Sequence, residues 1–269
     1  MRSLSLVIAC ISLATAFSGD VRAADLAELY ASKAITTGTG ERNRKLGFRD
    51  CLDRILVRVS GDPRLPALPE VEALRARAGD FVASFSYRDR LAGRPIHDEQ
   101  GTYDRPHDLT CHYAPDVLDP LLARLGSRPW LGKRPTLVVF LDVERNGKRL
   151  RVVADDMRDL AMRDSFALGS EQLAMRVAFP TRAAASKLPA EDLDAPGLLI
   201  DAARASGGDK ALSGRIKWSD ADLGWVATWH LAHEGQTFDW TVRGVNFDEA
   251  FRVALRGAMQ ILSGNGAPE

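Results

Sequence analysis

Residues 136–153 read TLVVFLDVERNGKRLRVV, and this stretch decides how the chain is divided. Thr136 to Val143 is apolar except at Thr136 and Asp142 and rich in β-branched residues, the strongest strand signal in the chain. Asn146-Gly147 follows, a dipeptide that accepts the positive φ angles of a two-residue hairpin, so Arg149 to Val153 is predicted as the partner strand. Immediately upstream, residues 126–135 (GSRPWLGKRP) are rich in glycine and proline, and a subdomain boundary is placed there.

Downstream, a helix is predicted near Ser165 to Met175 and a short strand from Val177 to Phe179, ended by Pro180. Ala195 to Ala205 reads as helical. Lys210 to Trp218, Gly224 to His233 and Thr237 to Val242 form an antiparallel meander separated by polar turns. Phe247 to Leu262 closes the chain as an amphipathic helix, with Phe251, Leu255, Met259 and Leu262 on one side. Gly264-Asn265-Gly266 is a natural stop, and 265–269 is predicted to be a disordered tail.

Upstream, Leu26 to Thr37 suits a short strand and Glu41 to Val59 a helix. Leu46, Phe48, Cys51, Leu52, Ile55, Leu56 and Val59 form its apolar stripe, with Arg49, Asp50, Asp53, Arg54 and Arg58 opposite. Gly61-Asp62-Pro63 stops it. A second helix is predicted from Leu68 to Phe85, and residues 88–106 are polar and turn-rich. Leu109, Cys111 and Tyr113 then alternate with Thr110 and His112 as a strand, and Asp116 caps a third helix. The fold class expected is α+β: a helix-rich α/β subdomain over 24–130, then a strand, helix, antiparallel meander and helix over 131–264. Without regular strand–helix alternation, a doubly wound sheet or TIM barrel is disfavoured.

The amino terminus, MRSLSLVIACISLATAFSGDVRA, has the order of a secretory signal: Arg2, an apolar run from Leu4 to Phe17, and small residues at Val21 and Ala23. Cleavage after Ala23 and a periplasmic location are expected. Val7-Ile8-Ala9-Cys10 loosely imitates a lipobox, but cleavage there would leave too short a signal, so Cys10 reads as part of the apolar region. Loss of residues 1–23 takes Arg2, Arg22 and Asp20 from the 36 basic and 36 acidic residues, leaving 34 and 35 and a formal charge of −1. That balance argues against a nucleic-acid partner. No second apolar stretch approaches membrane-span length, so no transmembrane segment is expected in the mature chain. Cys51 and Cys111 remain, each on an apolar face, and in an oxidising compartment they can bridge; the alternative is two buried thiols.

The densest polar cluster is His97, Asp98, Glu99 and Gln100, followed by Tyr103, Asp104, Arg105, His107, Asp108 and His112. These are ligand types for a divalent metal, with His97, His107 and His112 as the metal-binding candidates; a solvated loop with local salt bridges explains the same composition. The spacing matches no compact metal motif. Trp225 and Trp229 share a strand face that Trp240 can join, either as an exposed binding face or as core beneath covering helices. Nucleophilic and acid–base motifs are weak: there is no G-x-S-x-G, Ser170 looks like a helix cap, and Asp155-Asp156 and Asp220/Asp222 sit beside turns. Gly38-Thr39-Gly40-Glu41 lacks the lysine of a phosphate loop, and Gly207-Gly208-Asp209 reads as a helix terminator. His230 and His233 read as ordinary strand residues, and no cofactor is predicted.

GFRDCLDRILVRVSGDPRL (47–65), HDEQGTYDRPHDLTCHY (97–113) and LGSRPWLGKRPTLVVFL (125–141) resemble the proteobacterial exported family known as domain of unknown function 2066, as do the W-x-x-x-W and FDW segments. LVRVSGD and PW…RP carry most of that resemblance. It implies export and, since the family has no assigned activity, carries over no catalytic assignment; it also implies that the HDEQG…DRP loop is a family feature. The second half is similar in layout to small α/β modules of Tol-system or curli-secretion proteins, a likeness that does not settle function. The expectation is a non-enzymatic envelope module binding a protein or envelope component through His97, Asp98, Glu99, Gln100, Asp104 and Arg105 or the tryptophan meander. Two alternatives stand beside it: a metal-dependent hydrolase on the 97–112 loop, and a ligand pocket between the two halves.

Overall fold

In the computed structural model, residues 26–93 and 105–268 are described. The fold is α+β, with two separate sheets among the described residues. The first unit opens with strand β1 (Ala31–Thr37) and helix α1 (Glu41–Ser60), which Gly61 ends in a left-handed conformation with φ 77°. The segment after it differs from the single helix expected over 68–85. Helix α2 is confined to Pro69–Arg75, a 3-10 turn covers Ala78–Phe81, and Ser84–Asp89 is strand β2. Gly79, in the 3-10 turn, lies against the Phe48 ring of α1, where an added Cβ would sit 3.2 Å away, so the turn packs directly on α1. Phe85, read from sequence as the end of the helical stripe, instead lies in β2, where pairing with strand β3 (Pro106–His112) sets it opposite Cys111.

Sheet order is β1-β3-β2, all antiparallel, with α1 across one face. Helix α3 (Pro115–Arg124) begins with proline at its first position, and Ala114 rather than Asp116 occupies the cap. Leu52, Ile55, Leu56, Val59, Leu109, Leu118 and Leu122 form the core of this unit. Within it Cys51 of α1 and Cys111 of β3 form a disulfide, Cα–Cα 6.4 Å.

The second unit is built on strand β4 (Thr136–Arg145), the run singled out from sequence. Asn146 and Gly147 both have positive φ, and the turn returns the chain as β5 (Lys148–Arg151). Then come α4 (Leu160–Gln172), the short strand β6 (Arg176–Ala178), α5 (Arg182–Ala185) and α6 (Ile200–Ala205). The meander is β7 (Lys210–Ser219), β8 (Gly224–His233) and β9 (Gln236–Val245), and the last element is α7 (Phe247–Leu262). Sheet order is β5-β4-β7-β8-β9; β6 and β7 both run parallel to β4.

One sheet face is covered by α4 and α7, whose Phe166, Phe251, Leu255 and Met259 share a core with Val139, Leu141, Leu212 and Trp229 of the sheet. The opposite face carries a smaller core of Val138, Phe140 and Ala211 beneath Leu193, Leu199 and Ala203. Arg151 ties that cover down: its guanidinium binds the buried Asp142 carboxylate at 2.7 Å and the carbonyls of Ala185 and Leu188. The carboxyl-terminal residues are anchored rather than loose through 267. Asn265 Nδ2 donates to the Ser60 carbonyl at 3.0 Å, and Gln260 Nε2 donates to that of Ala267. The end of α1 thus supplies acceptors that the isolated Gly-Asn-Gly sequence does not reveal.

Candidate functional site

Two arginines hold the units together. Arg58 lies in the last turn of α1, beside the apolar stripe, and is buried, 6% exposed, not on the solvated face expected of it. Its Nε donates to the Leu29 carbonyl at 3.2 Å, one terminal nitrogen to that of Glu28, and the other to those of Glu171 and Gln172. Arg134 comes from the segment joining the units and donates to the carbonyls of Leu173 and Arg58, both at 2.7 Å. Its guanidinium lies 4.4 Å from the centre of the Trp130 ring. The last carbonyls of a helix lack intrahelical donors and carry partial negative charge, so two cations at the end of α4 satisfy both needs.

Neither guanidinium bonds a carboxylate among the described residues. Burial pushes the Arg58 pKa down, while the nearby charges of Glu28 and Glu171 raise it. Arg134 is pushed down to about 10, by burial and then by the charge of Arg58, and so remains a cation at neutral pH. Around this pair opens a cleft of about 820 Å³, lined from the first unit by Leu26, Glu28, Leu29 and Arg58 and from the joining segment by 131–134. Ala167, Ser170, Glu171 and 174–177 close it from the second unit. Among the described residues its other cations are Lys133, 3.4 Å from Asp209, and the exposed Arg176. Glu171 is engaged by Lys33 of β1 at 2.7 Å.

The residues singled out from sequence lie elsewhere. His97, Asp98, Glu99, Gln100 and Asp104 fall outside the described residues, as does the segment 1–23. Arg105 pairs with Asp89 at 3.2 Å. His107 Nδ1 is 2.7 Å from the Arg105 carbonyl, and its ring packs edge-on to Tyr87. His112 is exposed at the other end of β3. Five positions apart, the two histidines face opposite sides of the strand at about 16 Å separation, so they cannot share one metal ion. Trp225, Trp229 and Trp240 are in the core under α7, at 7%, 0% and 4% exposure, which corrects the expectation of an aromatic binding face. Gly214 and Gly257 make room for them: an added Cβ would lie 2.2 Å from the Trp229 ring and 2.7 Å from the Trp240 ring.

Ser170 lies inside the last turn of α4, its hydroxyl donating to the Ala167 carbonyl, rather than at a helix start. Asp156 caps a 3-10 turn and binds Arg158 and Arg182; Asp155 accepts from the Arg182 N–H. Asp220 accepts from Trp218 Nε1, and Asp222 pairs with Arg243. These carboxylates are committed to structure.

Ser213, His230 and Asp239 are cross-strand neighbours on β7, β8 and β9. The row has the residue types of a nucleophile triad but not its geometry. His230 Nδ1 is 2.5 Å from Asp239, while Nε2 faces Asp194 at 3.5 Å. The fully buried Ser213 hydroxyl donates to the Leu193 carbonyl. A nucleophile needs its proton aimed at the base, and this one is aimed at the backbone.

Sequence reasoning missed Arg58 and Arg134 as site residues, although they stand within LVRVSGD and PW…RP, the two segments marked as most distinctive. No curated protein and no solved structure matches the chain. A family model described as a domain of unknown function (DUF8605) matches residues 23–131, which take in the whole β1-to-α3 unit and end in the joining segment; it is a different family from the one the sequence was likened to.

Proposed function

We propose that this chain is an exported envelope protein that acts as a binding module, holding a protein or envelope component at the cleft between its units. The observation that carries the reading is the buried Cys51–Cys111 bridge, since such a bond persists where the compartment is oxidising. The apolar amino-terminal run with its A-x-A-like site and the resemblance to the exported 2066 family support the same compartment. Clefts between packed units are common ligand sites, and this one is lined from both units, with the Arg58 and Arg134 guanidinium groups at their contact. The hydrolase alternative needs three ligands aimed at one point, and His107 and His112 point apart.

Fractionation of cells expressing residues 1–269 tests the reading. The periplasmic fraction should hold a chain beginning at Ala24 with no thiol available to alkylation under denaturing, non-reducing conditions. Full-length protein in the cytoplasm with free Cys51 and Cys111 would overturn it.

A further inference from the structure

The cleft is unusual in its charge. Arg58 and Arg134 bring two guanidinium charges into the interface, and their bonded partners among the described residues are carbonyl dipoles. Buried cations ordinarily have carboxylate counterions, because carbonyl dipoles compensate a full charge only in part. Lys133 and Arg176 add to the positive side. Against them stand two lining carboxylates, the exposed Glu28, whose charge acts on Arg58, and Glu171, which is held by Lys33. Asp209 accepts from the Thr136 N–H as well as from Lys133, so among the described lining residues four cations face two anions. A second, independent feature is apolar. Leu26 and Leu131 line the same cleft and are 41% and 57% exposed, among the more exposed large hydrophobic residues of the described chain. A site that combines surplus positive charge with uncovered leucines fits a molecule with an anionic head and an apolar body.

We propose that this cleft binds an anionic amphiphile, an acyl chain ending in a carboxylate or phosphate, with the head group at Arg134 and Arg176 and the chain along Leu29, Leu131 and Val177. The proposal rests on the binding-module reading and names the ligand class for that site. An anion at Arg134 supplies the charge that the interface lacks, so ligand binding also tightens the contact between the units. Protein comprising residues 24–269 is titrated calorimetrically, below micelle-forming concentrations, with decanoate, decyl phosphate, inorganic phosphate and decyl maltoside. Decanoate or decyl phosphate should bind one to one and raise the Tm, and which of them binds tighter separates a fatty-acid-like from a phospholipid-like source. Phosphate and the neutral maltoside should bind at least about tenfold more weakly, a difference of about 1.4 kcal/mol.

Ala167 is exposed on the cleft wall, so Ala167→Trp fills the space without touching the core and should abolish binding. Arg176→Glu, at an exposed position, should weaken it about tenfold while leaving the circular dichroism spectrum unchanged. Absence of binding by both anionic amphiphiles, equal binding of phosphate or of the maltoside, or an Ala167→Trp variant that binds like the parent would each overturn the proposal. Those failures leave the compartment result untouched, and a cytoplasmic location leaves the titration untouched, so the two readings fail separately.

Discussion

Reducing or removing the Cys51–Cys111 bridge is the perturbation whose size follows most directly from the structure. The bond joins α1 to β3 across 60 positions of sequence, with both sulfurs fully buried in the first unit's core. Tethering two residues that far apart lowers the entropy of the unfolded chain by about 14 cal/mol/K, or about 4 kcal/mol at 25 °C. That is a large share of the ~5–15 kcal/mol by which whole proteins are stable. The double variant Cys51→Ala/Cys111→Ala should therefore lose about 4 kcal/mol, plus the small cost of the space left by two sulfur atoms. Urea unfolding monitored by hydrogen exchange reads each unit separately. With a slope of about 1.5–2 kcal/mol/M, the midpoint for residues 31–124 should fall by roughly 2–3 M. The β4-to-α7 unit should move much less, because its core contains no part of the bridge. A midpoint shift below about 0.5 M in the first unit, under ~1 kcal/mol, would refute the reasoning and mean that the unfolded chain is already compact around these residues.

Further outcomes follow from the packing. Arg58→Met removes the donor shared by the carbonyls of Leu29, Glu28, Glu171 and Gln172, and should cost about 3 kcal/mol, with faster proteolytic cutting in residues 126–135; an unchanged cutting rate would mean that Arg58 does not hold the units together. Gly214→Ala should destabilise by about 3 kcal/mol in chemical denaturation, since its methyl must displace the Trp229 ring; a neutral effect would place Trp229 outside the core. Asp156 is held well below its ordinary value of 3.8 by the hydrogen bond from the Arg158 side chain, then by that residue's N–H, with Arg182 adding and burial opposing. A depressed carboxylate stabilises the folded state above its ordinary pKa, and that stabilisation fades as pH falls below about 4. The acid limb of a stability–pH curve should accordingly flatten in Asp156→Asn, and an identical limb in the variant would contradict the assignment.

The candidate site was legible only in part, and the residues show why. Arg58 follows Ile55 by three positions and precedes Val59, at the margin of the apolar stripe of α1. Judged on that helix alone, a charged residue at a margin belongs in water. It is buried because the end of α4, more than a hundred residues later, presents carbonyls that need donors. The tryptophans show the converse: strand alternation put Trp225 and Trp229 on one face, but which face α7 covers depends on a helix outside the pattern.

Local chemistry in the sequence determined the elements themselves: β4 from its apolar run, the 146–147 turn from Asn-Gly, α1 and α7 from their 3.6-residue periodicity, and the meander from alternation. It also placed Cys51 and Cys111 on faces that meet. Only the tertiary structure decided that β6 and β7 both lie parallel to β4, that residues 84–89 extend as a strand, and that two arginines bridge the units around a cationic cleft. The physical reason is range. Turn geometry and side-chain periodicity act between residues a few positions apart, whereas strand partners, burial of a marginal charge and the satisfaction of a helix end depend on groups brought together from distant parts of the chain.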